Sequence, residues 1–454
     1  MESDAFSMKK QSNVLRLKCS VQTYDWGIRG QDSRVARFFA LNSGSIIDSD
    51  KPYAEFWMGT HDSGPSFLIP AAGENGGGID SDSTSLKSWV LENPNVLGDK
   101  VVQKWGSDIP FLFKVLSVAK PLSIQAHPDK ELAKELHMLQ PKVYRDANHK
   151  PEMALAITEF EALCGFISLE ELKDVLHTVP EIVEMIGNAA TNRVLLLDDE
   201  DDEEDLKSAL RSAFTQLMSA SKLVISKATS ELKRRLHSQS EVRQLTAKEV
   251  LVLSLEKQYP DDVGVIAAFF LNYVKLSPGE ALYLGANEPH AYIRGECIEC
   301  MATSDNVVRA GLTPKFRDVQ TLCAMLTYKQ GFPEILQGVP MNPYITKYIP
   351  PFDEFEIDRC VLPKGESVLF PASPGPSIFL VAGGEGMMLL NEESHRSDVV
   401  SEGDVLFVPA QTEINITSEV ELLIFRTGVN NKFFDTFMNA ENTPDLHVTT
   451  MMHL

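Results

Sequence analysis

The feature that most constrains this chain is an internal repeat. Leu276–His290 reads LSPGEALYLGANEPH and Val400–Ile414 reads VSEGDVLFVPAQTEI, at an offset of 124 residues. Gly279 matches Gly403, Glu280 matches Asp404, Leu282 matches Leu406 and Tyr283 matches Phe407. Each copy is a turn, a strand and a second turn. Two copies of one β-barrel unit are therefore expected, and the short β-type segments from Val265 onward, separated by Pro, Gly, Asn and Asp, agree. The informative mismatch is His290 against Ile414, because the second copy keeps the frame without the polar residue.

The rest of the chain falls into place around that repeat. At 454 residues it has room for about three domains. Glycine nearly vanishes between Ser168 and Pro260. Ser168 with Glu171 fits a capping box. Leu206, Leu210, Phe214, Leu217 and Met218 recur on one helical face. The expected fold is mainly β with a helical insertion: a first barrel split into 1–165 and 263–335, a helical domain at 166–262, and a second barrel at 336–454. Phe111–Val118 and Leu122–His127 read as strands, Ala71–Ser85 as a loop, and Gly383, Gly384 and Gly386 as a tight β-turn.

Charge and composition exclude several function classes. The 42 Lys and Arg face 64 Asp and Glu, a net charge of −22. That balance argues against nucleic acid or an anionic membrane as partner. Eight of the acids form the run Asp198–Asp205, read as a solvated loop between helices. The N-terminus has no signal-peptide pattern, and the longest apolar stretch, Val263–Leu271, is too short to span a bilayer. A cytoplasmic, soluble monomer is expected. Six cysteines make no disulfide framework, and Cys297 and Cys300 read as core residues on a strand. No Walker motif, nucleophile elbow or H-E-x-x-H appears.

Candidate chemistry sits in four segments. Gln125 and His127 lie two residues apart in PLSIQAH, so in a strand they share a face. Glu152 closes YRDANHKPE and enters an apolar run, where a carboxylate needs a partner. Gly285–Glu296 (GANEPHAYIRGE) resembles the first cupin signature, with His290, Tyr292 and Glu296 in the ligand places. A usual cupin site has a second histidine where Tyr292 stands, so either the metal is lost or Gln125, His127 and Glu152 supply the missing ligands. Such a set of N and O donors suits zinc or another borderline divalent ion. In SDNVVRAGLTPK, Arg309 and Lys315 flank a glycine turn.

Together QAHPDK, NHKPE, GANEPHAYIRGE and SDNVVRAGLTPK, in this order, resemble the type I phosphomannose isomerases. YDWG at Tyr24–Gly27, AEFWMGTHDSGPS at Ala54–Ser66 and PFLFKVLSVAKPLSIQAHP at Pro110–Pro128 agree. The resemblance implies two cupin-type jelly-roll barrels with a helical domain. It implies one zinc per chain, held by Gln125, His127, Glu152 and His290, with Glu296 outside the ligand set. It implies a catalytic role for Arg309, Lys150 and His149, and places Lys114 and Lys315 near the substrate. The implied reaction interconverts mannose 6-phosphate and fructose 6-phosphate through a cis-enediol, feeding GDP-mannose synthesis. The alternatives are a non-catalytic two-barrel sugar-binding or storage cupin, and an iron-dependent cupin oxygenase.

Overall fold

A computed structural model describes residues 14–70, 84–198, 200–390 and 397–435. Most of the loop expected at Ala71–Ser85 and one acid of the 198–205 run, Asp199, lie outside these residues. Among the described residues, two ten-stranded sheets and one two-stranded sheet carry the β structure. The first runs Leu271–Leu276, Phe160–Phe166, His290–Ala302, Phe111–Val118, Glu55–Met58 and Ser20–Gln22. Glu152–Ala156, Ala281–Leu284, Ile124–Ala126 and Val308–Gly311 complete it. The second is centred on Glu356–Leu362, Ile414–Gly428, Ser377–Leu390 and Val405–Val408.

The repeat is visible as backbone geometry. Gly279 and Gly403 both have φ of 93°, a conformation that side-chain-bearing residues rarely adopt. The Glu280 carboxylate accepts from Ser277 N at 2.9 Å, and Asp404 does the same for Ser401 N at 2.9 Å. The strands Ala281–Leu284 and Val405–Val408 then follow at the same offset, as do the starts of the long strands at His290 and Ile414.

Five helices occupy the expected insertion: Leu169–Thr178, Pro180–Leu196, Glu203–Met218, Lys222–Ser240 and Ala247–Gln258. Ser168 and Glu171 form the expected reciprocal capping box. Leu210, Phe214, Leu217 and Met218 are buried, and the Phe214 ring packs edge-on against Phe166 at 5.2 Å. The acidic run is more than a loop. Asp202 caps the third helix, and Glu203, Glu204 and Asp205 fill its first turn, where negative charge suits the exposed N–H groups.

Two expectations need correction. Residues 1–165 do not travel together. Among the described residues, one compact unit takes Cys19–Trp57 and Leu112–Gly338, and the other takes those of 14–18, 58–111 and 339–435. Leu15–Lys18 pairs with Val405–Val408 and with Phe67–Leu68, while Trp89 and Trp105 pack on Phe407 and Phe433. Strand pairing and aromatic burial thus draw early residues to late ones. The second correction concerns Gly383–Gly386, which form no turn. They lie inside the strand Ser377–Leu390, where the register shifts. At Gly384, with φ of 86°, a Cβ would lie 2.0 Å from the Glu421 carbonyl oxygen.

Candidate metal centre

Three adjacent strands set the row on which the site is built. His290 pairs directly with Gln125, and Gln125 pairs with Arg309 on its other side. Directly paired residues share a face, so His290, Gln125 and Arg309 stand side by side. His127 follows the short strand Ile124–Ala126. Glu152 opens its own strand, paired with Leu284 and Met301.

His127, Glu152 and His290 converge, with one ligand atom of each within 4.8 Å of the others. Glu152 Oε1 lies 3.3 Å from His127 Nε2, and Oε2 lies 3.3 Å from His290 Nε2. All three side chains are buried, yet His127 Nε2, His290 Nε2 and Glu152 Oε2 have no hydrogen-bond partner among the described residues. Buried polar atoms without partners are costly and rare. The other ring nitrogens explain the arrangement. His127 Nδ1 lies 2.7 Å from the Asn306 carbonyl oxygen, and His290 Nδ1 lies 3.0 Å from that of Glu288. A carbonyl only accepts, so each ring keeps its proton on Nδ1 and presents the Nε2 lone pair to the centre. Burial lowers the His127 pKa to about 4, which keeps the ring neutral. Burial pushes the Glu152 carboxyl up, but neighbouring positive charge, that of Lys150 included, holds the group well below the usual range. Two imidazole nitrogens and a carboxylate with unsatisfied lone pairs fit a divalent cation such as zinc.

The expected cations divide into two kinds. Arg309 lies in the strand Val308–Gly311 rather than a loop, half-buried, with no carboxylate partner among the described residues. Burial alone lowers its pKa. Lys150 is partly buried, with Nζ 3.6 Å from Glu152 Oε1. His149 is partly buried one residue before it, and Lys315 is exposed. Lys114 is different. Its buried Nζ lies 2.9 Å from Glu299 and 3.2 Å from Glu55, under the Trp57 ring, so its charge is already matched.

Sequence reasoning missed Glu55 and Glu299, although each is a carboxylate inside an apolar strand and so signals a buried partner. Tyr292 packs its ring on Phe160 at 5.3 Å. Glu296 accepts from Ser117 Oγ at 2.6 Å and Arg34 N at 2.8 Å, which occupies it away from the histidines. Cys297 and Cys300 are buried and unbridged. Three positions apart on one strand, they point to opposite faces.

Comparisons with known proteins converge on one family. Residues 14–169 match the catalytic domain of phosphomannose isomerase type I, and residues 185–271 match its helical insertion domain. Mannose-6-phosphate isomerase 1 of Arabidopsis thaliana is 60% identical, over 92% of this chain and 94% of its own. The Homo sapiens mannose-6-phosphate isomerase is 41% identical, over 91% and 98%. Among solved structures, a mannose 6-phosphate isomerase bound with zinc and yttrium superposes with a TM-score of 0.75 at 27% identity, over 92% of this chain and 99% of that one. The chain belongs to the type I phosphomannose isomerase family of enzymes.

Proposed function

We propose that this enzyme interconverts mannose 6-phosphate and fructose 6-phosphate at a single zinc centre held by Gln125, His127, Glu152 and His290. The observation that carries the reading is the convergence of three buried, partnerless ligand atoms beside an arginine without a counter-ion. A storage or sugar-binding cupin has no use for that combination. Zinc, when bound, supplies positive charge that orients and polarises the sugar oxygens at C1 and C2. Gln125 completes the ligand set from its place in the row between His290 and Arg309.

The chemistry moves one proton between C2 and C1 through a cis-enediol. Arg309 stabilises the negative charge that develops on the enediolate, a role for which an unmatched, partly desolvated guanidinium is suited. Lys150 lies close enough to the metal ligands to handle the proton. His149 opens the sugar ring. Lys315, exposed at the end of the same segment as Arg309, receives the phosphate. Lys114, neutralised by Glu55 and Glu299, shapes the pocket rather than offering charge to it. These parts sit on two jelly-roll barrels, the first of them interrupted by the helical domain. The enzyme acts in the cytoplasm as a monomer, on the route to GDP-mannose. A coupled assay of mannose 6-phosphate conversion tests the reading: activity should vanish with a zinc chelator and return with zinc. Undiminished turnover in metal-free protein would overturn it.

A further inference from the structure

Two of the segments that carry the site are fastened together by residues to which no role has been given. Asp146 lies in YRDANHKPE, upstream of His149, Lys150 and Glu152, and Ser304–Asn306 opens SDNVVRAGLTPK, upstream of Arg309. The Asp146 Oδ1 accepts from Ser304 Oγ at 2.8 Å and from Asn306 Nδ2 at 3.2 Å. Its Oδ2 accepts from Asp305 N at 2.8 Å, and its backbone carbonyl accepts from Asn306 Nδ2 at 2.7 Å. The fastening continues two residues further along, at Asn148. Asn306 Nδ2 donates to the Asn148 carbonyl at 3.0 Å, Ser304 Oγ to the same carbonyl at 3.1 Å, and Asn148 Nδ2 to Thr303 O at 2.9 Å. Ser304 and Asn306 are buried, so the bonds they make are partly shielded from water, while that of Asp305 N is exposed.

The consequence lies in what Asn306 does with its backbone. Its carbonyl oxygen is the acceptor that holds His127 Nδ1. The side chain of Asn306 is gripped by Asp146, and the main chain of Asn306 in turn fixes the tautomer and tilt of His127. We infer that Asp146, Ser304 and Asn306 form a clamp that positions His127 for the metal, and that Asp146 is its key positioning residue. This rests on the zinc reading above. The clamp acts through the ring orientation of a ligand, not through contact with metal or substrate. The YRDANHKPE segment thus supplies the carboxylate that sets a carbonyl of the SDNVVRAG segment.

Zinc release from the holoenzyme into a metallochromic chelator tests the clamp. The wild type is measured first. If it carries no zinc that His290→Ala removes, the metal reading itself fails and the clamp with it. Given a zinc-bearing wild type, Asp146→Ala should release zinc at a chelator concentration ten- to a hundredfold lower, the range for lost outer partners of a ligand. Asn306→Ala should move the same way. The double variant should lose little more than either single one, because both act through one clamp. Asp146→Asn, which keeps one acceptor oxygen, should lie between. Should Asp146→Ala not fold, Ser304→Ala removes a single member and should shift release in the same direction by less. A merely structural role would lower thermal stability while zinc release stays at the wild-type value, and that result would overturn the inference.

Discussion

The two sheets repeat one frame and fill it with opposite chemistry. In the first, the strand that follows the repeated turn opens on His290, whose Nε2 is left without a partner beside His127 and Glu152. In the second, the matching strand opens on Ile414, buried among apolar neighbours. Yet the second sheet is not free of charge. Lys347, Asp358 and Arg426 stand in register on three adjacent strands, and Glu356 lies two residues along from Asp358 on the same face. Asp358 lies 3.2 Å from Lys347 and 2.7 Å from Arg426, and Lys347 also pairs with Glu356. All four are buried. The difference is one of closure. The second sheet matches two cations with two carboxylates, although Asp358 Oδ1 makes no hydrogen bond among the described residues, whereas the first leaves three converging ligand atoms and Arg309 unmatched. Matched charge serves folding, and unmatched charge is available to a ligand.

Metal removal is the largest test of that contrast. Chelation, or His127→Ala or His290→Ala, should reduce turnover to background with loss of bound zinc, read by elemental analysis beside the coupled assay. Retained turnover would show that the unmatched atoms of the first sheet are not its working part. Arg309→Ala should come next, lowering turnover on the order of a hundredfold or more, the scale of a lost charge-stabilising donor. Its circular dichroism melt should hardly move, since no ion pair of Arg309 is broken; a large drop in melting temperature with proportionate activity loss would make it a structural residue instead.

The second sheet should behave in the reverse manner. Asp358→Ala leaves Lys347 and Arg426 short of a counter-ion in the interior and should cost about 3–5 kcal/mol of stability. Denaturant unfolding reads that loss, while zinc content and turnover per folded molecule should stay unchanged. Where the sheets share a frame, they should respond alike. Gly279→Ala and Gly403→Ala each force a Cβ into a positive-φ turn and should each cost about 1–3 kcal/mol. Unequal penalties would argue against a common frame. The smallest effect is expected at the mismatch itself. Ile414→His should leave the chain with one zinc, because one imidazole without converging partners binds the ion weakly. A second tightly held zinc would break the comparison.

Legibility in the sequence followed the range of the interaction. The repeated turns were readable because a positive-φ glycine and its following Glu or Asp act within four residues. The capping box at Ser168 and the apolar stripe from Leu206 to Met218 are local for the same reason. Gln125 and Arg309 were singled out as residues, but their alignment with His290 depends on strand register. The charge balance of Lys114 was hidden because Glu55 and Glu299 come from strands far apart in the chain. The Gly383–Gly386 segment misled in the same way: glycines that suggest a turn instead allow close approach of the Glu421 backbone.

What the sequence by itself determined was therefore the inventory: a duplicated β unit, a helical insertion between its parts, and the donor types for a divalent cation. Local hydrogen bonding and side-chain periodicity act over a few residues and leave their mark in the order of the letters. Tertiary structure alone decided which groups are matched. It set Lys114 between two glutamates, closed the Lys347–Glu356–Asp358–Arg426 set, and left His127, Glu152 and His290 facing one another. Charge matching depends on distance in space and on burial, and both arise only when strands remote in sequence pair.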